Sequence, residues 1–267
     1  MTYFERLSRR CEETAGICVG IDPHGGVLDT WSMSHDVHGV ERFAMGVIEA
    51  LGDQVAAFKP QSAFFEMWGS PGIAVLERCI SAIRETGALV ILDVKRGDIG
   101  STMQAYAQAY LGDGPLGVDA ITVSPYLGFG ALQPAFEMAL NHGRGVYVLA
   151  RTSNPEGADI QLGSTHGGAQ VAQGIVDQGQ AWNDMAGANV VSLVVGGTHA
   201  DLGIDLTEFT SSLLIPGIGT QGGTISGLES SMGGTQAVLL PSVSREVLMA
   251  GPDPQGLRDA VSRVLTS

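Results

Sequence analysis

The segment ALVILDVKRGDI (Ala88–Ile99) joins an apolar run to a cluster of charged side chains. Its first half, ALVILD (Ala88–Asp93), has the length and composition of a parallel strand that is buried on both faces. Its second half, DVKRGDI (Asp93–Ile99), brings two carboxylates and an ammonium group to the carboxyl end of that strand. The segment therefore predicts a buried parallel strand that ends in chemically useful side chains.

The same pattern recurs along the chain, where short apolar runs alternate with turns and helix-like stretches. The predicted strands are ICVGI (Ile17–Ile21), VAAFK (Val55–Lys59), ALVILD (Ala88–Asp93), VDAITV (Val118–Val123), GVYVLA (Gly145–Ala150), VVSLVV (Val190–Val195), LLIPGI (Leu213–Ile218) and AVLLP (Ala237–Pro241). Helical patterns between them include ERFAMGVIEAL (Glu41–Leu51), IAVLERCISAIRE (Ile73–Glu85) and TMQAYAQAYL (Thr102–Leu111). Units of about 30 residues, repeated about eight times, predict an α/β fold of the (β/α)8 TIM barrel type.

One domain over residues 1–267 accounts for the whole chain, because a (β/α)8 barrel usually needs roughly 250 residues. The alternative is an open, doubly wound parallel sheet. That fold is expected to carry a glycine-rich nucleotide fingerprint after its first strand, and GIDPHGG (Gly20–Gly26) does not match GxGxxG. The closed barrel is therefore preferred.

Composition excludes several classes of protein. The net charge of −14 opposes broad attraction to nucleic acid or to an anionic membrane surface, although a few local cations can still bind a small anion. We expect no membrane span, since no stretch approaches about 18 consecutive apolar residues. The first residues, MTYFERLSRRCEET, lack the apolar region of a signal peptide, and three scattered cysteines form no disulfide or metal pattern. A cytoplasmic protein fits best.

Lysine is rare in this chain, which has only Lys59 and Lys95 against twelve arginines. Both lysines fall at the ends of predicted strands, where a TIM barrel carries its active site. Arginine remains protonated at all useful pH values, whereas lysine can lose its proton. A site that transfers a proton from a cation could therefore use these two residues.

The segment DVKRGDI supports more than one kind of site. Because strand side chains alternate, Asp93 and Lys95 are expected on one side and Val94 on the other, with Asp98 in the following loop. Two carboxylates around Lys95 would favour its protonated form. The same residues could instead form an ion-pair network that only closes the barrel, or carboxylates that bind Mg²⁺.

The last two loops predict a phosphate site. PGIGTQGG (Pro216–Gly223) is a glycine-rich loop after the seventh strand, and SVSREV (Ser242–Val247) opens a helix after the eighth. TIM barrels frequently bind phosphate between these two loops. Arg245 could make a bidentate contact with phosphate oxygens, and the glycine-rich loop could close over a ligand.

At these residues the chain resembles the orotidine 5′-monophosphate (OMP) decarboxylase family, and within it the longer bacterial branch. The resemblance covers about residues 17–247, through GIDP (Gly20–Pro23), FKPQSAFFE (Phe58–Glu66), DVKRGDIGST (Asp93–Thr102), SPYLG (Ser124–Gly128), TSNPEG (Thr152–Gly157), PGIGTQGG (Pro216–Gly223) and SREV (Ser244–Val247). It implies a carboxy-lyase that converts OMP to UMP and CO2 in pyrimidine biosynthesis, with no cofactor and no metal.

The resemblance also implies a role for each candidate residue. The catalytic array would be Lys59, Asp93, Lys95 and Asp98, with Lys95 the acid that protonates C6 of the pyrimidine and Asp93 beside the substrate carboxylate. The substrate-binding residues would be Asp22 and Lys59 at the ribose, Ser153 at the pyrimidine edge, and Gln221 and Arg245 at the phosphate. Asp98 and Thr102 would reach into the neighbouring subunit's site, so a homodimer with shared sites is expected.

Two rival functions remain open on the residues alone. Mg²⁺-dependent phosphosugar barrels, such as 3-keto-gulonate-phosphate decarboxylase and hexulose-phosphate synthase, share the DxKxxD pattern, but they lack the FKPQ and TSNPEG segments. A barrel retained only to bind a ligand is the non-enzymatic alternative. Sensitivity to a chelator distinguishes the first rival, and UMP binding without turnover of OMP distinguishes the second.

Overall fold

The computed structural model, which describes residues 1–232 and 234–267, contains a closed ring of eight parallel strands. The strands are β1 (Cys18–Ile21), β2 (Ala57–Pro60), β3 (Leu89–Arg96), β4 (Ala120–Val123), β5 (Gly145–Arg151), β6 (Val191–Val195), β7 (Ser212–Pro216) and β8 (Val238–Val243). Each strand pairs with its neighbours in sequence order, and β8 closes the ring on β1. The predicted (β/α)8 barrel is confirmed, and the alternative of an open sheet is wrong.

Helices connect the strands and cover the outside of the barrel. They are α1 (Tyr3–Glu13), α2 (Gly25–Thr30), α3 (Val37–Leu51), α4 (Ala63–Glu66), α5 (Gly69–Thr86), α6 (Gly100–Leu111), α7 (Gln133–His142), α8 (Ala158–Gln161), α9 (Val171–Ala186), α10 (Ile225–Ser231), α11 (Arg245–Leu248) and α12 (Pro254–Leu265). The three helical patterns predicted from the sequence lie within α3, α5 and α6. Among the described residues, no helix is both long enough and apolar enough to span a membrane.

Local sequence explains where the long helices begin and end. At the start of α3, the Asp36 carboxylate accepts a hydrogen bond from the Gly39 backbone N–H at 2.8 Å, a capping contact that typically stabilises by about 1 kcal/mol. At the end of α5, Gly87 has φ +84°, a left-handed conformation that glycine adopts without steric cost. Asp36 therefore fixes where α3 begins, and Gly87 ends α5 where the chain turns back toward the barrel.

The helix α1 closes the amino end of the barrel. Its residues Tyr3 and Leu7 are fully buried against the side chains inside the strand ring, and burial of a leucine side chain stabilises by roughly 1.5–3 kcal/mol. The Tyr3 hydroxyl lies 2.9 Å from the Tyr147 hydroxyl, which in turn lies 2.9 Å from Ser212 Oγ. With this end filled, ligand access to the barrel is left to the carboxyl end.

Candidate active site

A cavity of about 290 Å³ opens at the carboxyl end of the barrel. Four predicted site residues line it, namely Asp22, Lys59, Gln221 and Arg245. They follow or end β1, β2, β7 and β8, which are consecutive neighbours around the closed ring. The rest of the lining consists of His24, Phe64, Pro216, Gly217, Ile218, Thr220, Ser242, Val243 and Ser244.

Two larger cavities, of about 370 and 570 Å³, lie beside α1 at the amino end. Neither contains a lysine. Three of the four arginines of the first are engaged with the fold, since Arg6 pairs with Asp119, Arg10 donates to the Gly52 carbonyl and Arg84 donates to the Gly117 carbonyl. Because TIM-barrel active sites lie at the carboxyl end, we assign the candidate site to the smaller cavity.

Asp93 is the centre of a row of three charged side chains beside this cavity. Its Oδ2 accepts a hydrogen bond from Lys59 Nζ at 3.0 Å, and its Oδ1 accepts one from Lys95 Nζ at 2.6 Å. The Asp93 and Lys59 side chains are 9% and 11% exposed, whereas that of Lys95 is 47% exposed. One ammonium group is therefore nearly buried, while the other remains accessible to a ligand.

Electrostatic attraction keeps the buried pair ionised. Burial acts to raise the pKa of Asp93, but the ammonium groups of Lys59 and Lys95 outweigh it, so this pKa lies well below its ordinary value. Burial acts to lower the pKa of Lys59, but the carboxylates of Asp93 and Asp22 outweigh it, so this pKa lies above its ordinary value. The ordinary values are about 3.9 and 10.4. The stability from this pair is therefore constant between about pH 4 and pH 10, and is lost only below or above that window.

Asp93→Asn is expected to lower the free energy of unfolding at pH 7 by about 3–5 kcal/mol, because it leaves the buried ammonium of Lys59 without its main partner. The deficit should shrink as the pH rises from 7 towards 10, since a neutral lysine is buried more easily. Urea unfolding followed by circular dichroism at both pH values measures this. Asp184→Asn, which changes an exposed carboxylate on α9, is the control. A loss below about 1 kcal/mol, the scale of an exposed ion pair, would contradict the buried-pair argument.

Two residues that the sequence analysis did not select complete the surroundings of Asp93. Thr122, which is 1% exposed, donates from Oγ1 to Asp93 Oδ1 at 2.8 Å. Gln61, with its amide nitrogen turned toward Asp93, donates to Oδ2 at 2.9 Å and to the Asp93 carbonyl at 3.1 Å. Hydrogen bonds to a carboxylate favour its charged form. The only signal for Thr122 was a single hydroxyl inside the apolar run VDAITV.

The backbone at Lys95 departs from regular strand geometry. Lys95 has φ +42°, a left-handed conformation that costs of order 1–3 kcal/mol in a residue other than glycine. The pairing between β3 and β4 shifts between Leu92 and Arg96. The predicted contact between the Asp93 and Lys95 side chains is found, but the regular alternation on which the prediction relied is interrupted at this point.

Asp98 does not join the row of charges within one chain. Its carboxylate accepts a hydrogen bond from the adjacent Ile99 N–H at 2.8 Å and makes no ion pair with a described residue. The expected enclosure of Lys95 by two carboxylates is therefore wrong for a single chain, since Asp93 is the one carboxylate among the described residues that contacts it. Thr102, in the first turn of α6, is exposed and lies outside the cavity lining.

The end of the cavity formed by the last two loops holds Gln221 and Arg245. The loop after β7 folds on itself, with Gly219 N donating to the Gly223 carbonyl at 2.9 Å. Gly217 has φ +101°, and a Cβ atom there would come within 2.8 Å of Thr198. Arg245 is exposed, and its guanidinium makes no hydrogen bond or ion pair with any residue in the described ranges. The helix predicted to begin here is a single turn, α11.

Ser153 lies between the loops after β5, β6 and β7. The backbones of Gly196 and Gly217 pack close to Ser153. If Gly196 had a Cβ atom, that atom would lie 2.7 Å from Ser153 N, and a Cβ atom on Gly217 would lie 3.6 Å from Ser153 Cβ. Gln161 fixes the position of Thr152, the residue before Ser153. The Gln161 Oε1 accepts a hydrogen bond from Thr152 N at 3.0 Å, and its Nε2 donates one to Thr152 Oγ1 at 2.7 Å. Ser153 Oγ bonds to none of the described residues, so it is available to a ligand.

No group of three or more histidine, cysteine, aspartate or glutamate side chains in residues 1–232 and 234–267 is arranged to hold a metal ion.

A model of the orotidine 5′-phosphate decarboxylase / HUMPS family matches residues 16–260. The chain belongs to this family.

Members of the orotidine 5′-phosphate decarboxylase / HUMPS family resemble the chain over its full length. The orotidine 5′-phosphate decarboxylase of Salinispora arenicola is 55% identical over 268 residues, covering 99% of this chain and 96% of the relative. That of Streptomyces coelicolor is 47% identical over 262 residues, covering 97% and 94%. A crystal structure from Streptomyces avermitilis, provisionally assigned the same activity, is 48% identical with a TM-score of 0.94, covering 99% and 94%. The family expected from the sequence motifs is confirmed.

Proposed function

We propose that this chain is an orotidine 5′-monophosphate decarboxylase, which converts OMP to UMP and CO2. The observation that carries the proposal is the row Lys59–Asp93–Lys95 beside a cavity whose other end presents Arg245, an arginine that no described side chain engages. An anionic nucleotide needs a cation for its phosphate, and decarboxylation needs a second cation at the carbon that gains charge. The identity to named decarboxylases supports the same activity.

The cavity lining supports binding of a nucleotide by its phosphate and ribose. Arg245 would hold the phosphate through paired charge-assisted hydrogen bonds, and Gln221 would contribute from the loop after β7. Asp22 Oδ1 is buried and has no hydrogen-bond partner among the described residues, so a ribose hydroxyl would satisfy it. Lys59 would donate to the same sugar. Ser153 would contact the edge of the pyrimidine.

The reaction breaks the bond between C6 and the carboxylate carbon, so that CO2 leaves and the electron pair remains on C6. Lys95 would stabilise the developing negative charge and then transfer a proton from Nζ to C6. Asp93 would lie near the substrate carboxylate, and the repulsion between the two negative charges would raise the free energy of the bound substrate. The transition state would be raised less, because in it that charge moves onto the ring. Solvent then reprotonates Lys95, whose side chain is the accessible one of the two lysines.

Exposed residues around the cavity support a dimer with shared active sites. Met67, Ile99, Tyr126 and Leu127 lie after β2, β3 and β4, and all are more than half exposed, at 67%, 63%, 77% and 53%. A cluster of exposed apolar side chains is typical of a protein interface. Asp98 and Thr102 belong to the same face. A partner that covers this face would bring its Asp98 toward Lys95.

The test of the function is conversion of OMP by the purified chain in the presence of EDTA, followed by the change in absorbance. We expect rapid formation of UMP and CO2 that is independent of added metal. Activity that requires Mg²⁺ and phosphosugar substrates would instead favour the other members of the family. A folded protein that binds UMP but never converts OMP would indicate that the barrel binds a ligand and has no decarboxylase activity.

Shared sites predict complementation between two inactive variants. Asp98→Asn and Lys95→Ala subunits should each be nearly inactive as homodimers, whereas a mixed dimer contains one site with neither substitution. The mixed dimer is therefore expected to recover up to about half the activity per dimer, since one of its two sites is intact. Co-expression with two different affinity tags isolates the heterodimer for assay. A verified heterodimer with no recovered activity would contradict shared sites.

A further inference from the structure

We propose that Thr122 is a positioning residue that aims the Lys95 ammonium for proton transfer, an inference that rests on the proposed decarboxylase function. Three hydrogen bonds form a closed ring between Thr122, Asp93 and Lys95. Lys95 N donates to Thr122 Oγ1 at 3.0 Å, Thr122 Oγ1 donates to Asp93 Oδ1 at 2.8 Å, and Lys95 Nζ donates to the same Oδ1 at 2.6 Å. The backbone and the side-chain tip of Lys95 are thus tied to one hydroxyl and one carboxylate.

The direction of each bond in the ring is determined by the chemistry of the groups. A backbone N–H can only donate, so the Thr122 hydroxyl must accept from Lys95. Its single proton is then committed to Asp93, whose ionised carboxylate can only accept. Thr122 is 1% exposed, so bulk water does not compete for either bond. The Thr122 hydroxyl makes both contacts at once from a single oxygen atom.

The strand pairing explains why this position needs a hydroxyl. β3 and β4 pair at Leu92–Ile121 and next at Arg96–Val123. Thr122 is therefore the single residue of β4 opposite the three residues Asp93–Lys95. Extra residues in one strand form a bulge, which interrupts the ladder and redirects a side chain, often beside an active site. Here the Thr122 hydroxyl accepts the hydrogen bond from Lys95 N–H that a backbone carbonyl of the neighbouring strand would accept in a regular ladder.

Nothing else in the described residues restrains the end of the Lys95 side chain. Its Nζ contacts Asp93 alone, and the side chain is 47% exposed. The next residue, Arg96, turns away and pairs with Glu66 at 2.6 Å. Lys95 also has φ +42°, a conformation that residues other than glycine adopt rarely. Loss of the hydroxyl should therefore let the Lys95 backbone relax, and the ammonium group should no longer be held in one direction.

Thr122→Val and Thr122→Ser separate positioning from packing. Valine keeps the shape of threonine without the hydroxyl, and serine keeps the hydroxyl without the methyl group. We expect Thr122→Val to lower kcat for OMP by about 10²-fold, the scale of a displacement of about 1 Å at a reacting group. The affinity for UMP should change little, because the phosphate and ribose contacts remain. Thr122→Ser should retain most of kcat. A role in packing alone predicts the reverse order of the two variants.

A second readout isolates the proton transfer itself. Because a reaction and its reverse use the same path, the group that protonates C6 also removes a proton from it. Exchange of the C6 hydrogen of bound UMP in D2O, followed by NMR, should therefore slow in Thr122→Val and be largely restored in Thr122→Ser. Ser192→Ala is the control, since Ser192 is another buried hydroxyl on a barrel strand and, among the described residues, bonds only to Ser211 and Ser212. It is expected to leave kcat within about twofold of the value for the original protein, because Ser192 does not position any group that reacts with the substrate.

The outcomes distinguish this inference from the proposed function. An unmodified chain that does not convert OMP contradicts the function. An active chain in which Thr122→Val keeps kcat within about threefold, or in which serine is as damaging as valine, overturns only the role of Thr122. If Thr122→Val does not fold, Thr122→Ala compared with Thr122→Ser gives the same comparison, because alanine also lacks the hydroxyl.

Discussion

Lys95→Ala is expected to lower kcat for OMP by about 10⁴-fold or more, the combined scale of a lost general acid and a lost electrostatic contact at the reacting carbon. Binding of UMP should persist, because Arg245, Gln221 and Asp22 line the cavity independently of Lys95. Single-turnover kinetics on OMP and calorimetric titration with UMP measure the two effects. The variant should fold, since this side chain is 47% exposed and is not part of the buried core.

Lys95→Arg is the informative companion to the alanine variant. Arginine preserves the positive charge but does not release a proton at useful pH. We expect it to remain inactive within about tenfold of Lys95→Ala if proton transfer is the main role of Lys95. Substantial turnover in the alanine variant would remove Lys95 from the role of acid. Activity in the arginine variant alone would reduce that role to electrostatic stabilisation.

Arg245→Ala is expected to weaken binding of UMP by about 10²–10⁴-fold. A hydrogen bond to a charged group contributes roughly 1.5–3 kcal/mol, and a guanidinium can donate two to one phosphate. Binding of uridine, which lacks the phosphate, should be unchanged. Calorimetric titration with both ligands measures the difference. The loss should extend to kcat at saturating OMP if phosphate binding also helps to close the loop after β7.

Arg9→Ala provides the matched control for Arg245→Ala. Arg9 is also exposed, but it lies on α1 at the opposite end of the barrel, and its one ion pair within the part of the chain that the structure describes is a 3.9 Å contact with Glu13. Both variants change the net charge equally, so any general electrostatic attraction of an anionic ligand falls by a similar amount. An equal effect of the two substitutions on UMP affinity would contradict a phosphate contact by Arg245.

Much of the fold was predictable because its signal is local. Parallel strands buried on both faces have continuous apolar sequences, and each predicted run overlaps one observed strand. The run ALVILD is the core of β3, and GVYVLA is the core of β5. The carboxyl ends of all these strands meet at one end of a barrel. Lys59 and Asp93, at the ends of neighbouring strands, could therefore be expected near each other, and their contact is found at 3.0 Å.

Other parts of the site were not predictable from local patterns. Thr122 was treated as one residue of an apolar strand, because nothing in VDAITV shows that it faces a bulge in β3. Gln161 was not selected, because its contact with Thr152 depends on a helical turn nine residues further along the chain. Asp98 was expected beside Lys95 on spacing alone, but the loop directs its carboxylate to the adjacent N–H. The catalytic and binding roles of the selected residues stay predictions for the experiments above.

By itself the sequence determined the barrel, the family and the strand ends at which polar side chains collect, because buried strands and short motifs have signatures within a few consecutive residues. The tertiary structure alone decided which of those side chains touch. The register between β3 and β4 sets Thr122 opposite Asp93–Lys95, and closure of β8 on β1 brings Arg245 and Asp22 into one cavity. Such contacts join residues far apart in the chain, so they depend on how strands align and close, which no single segment encodes.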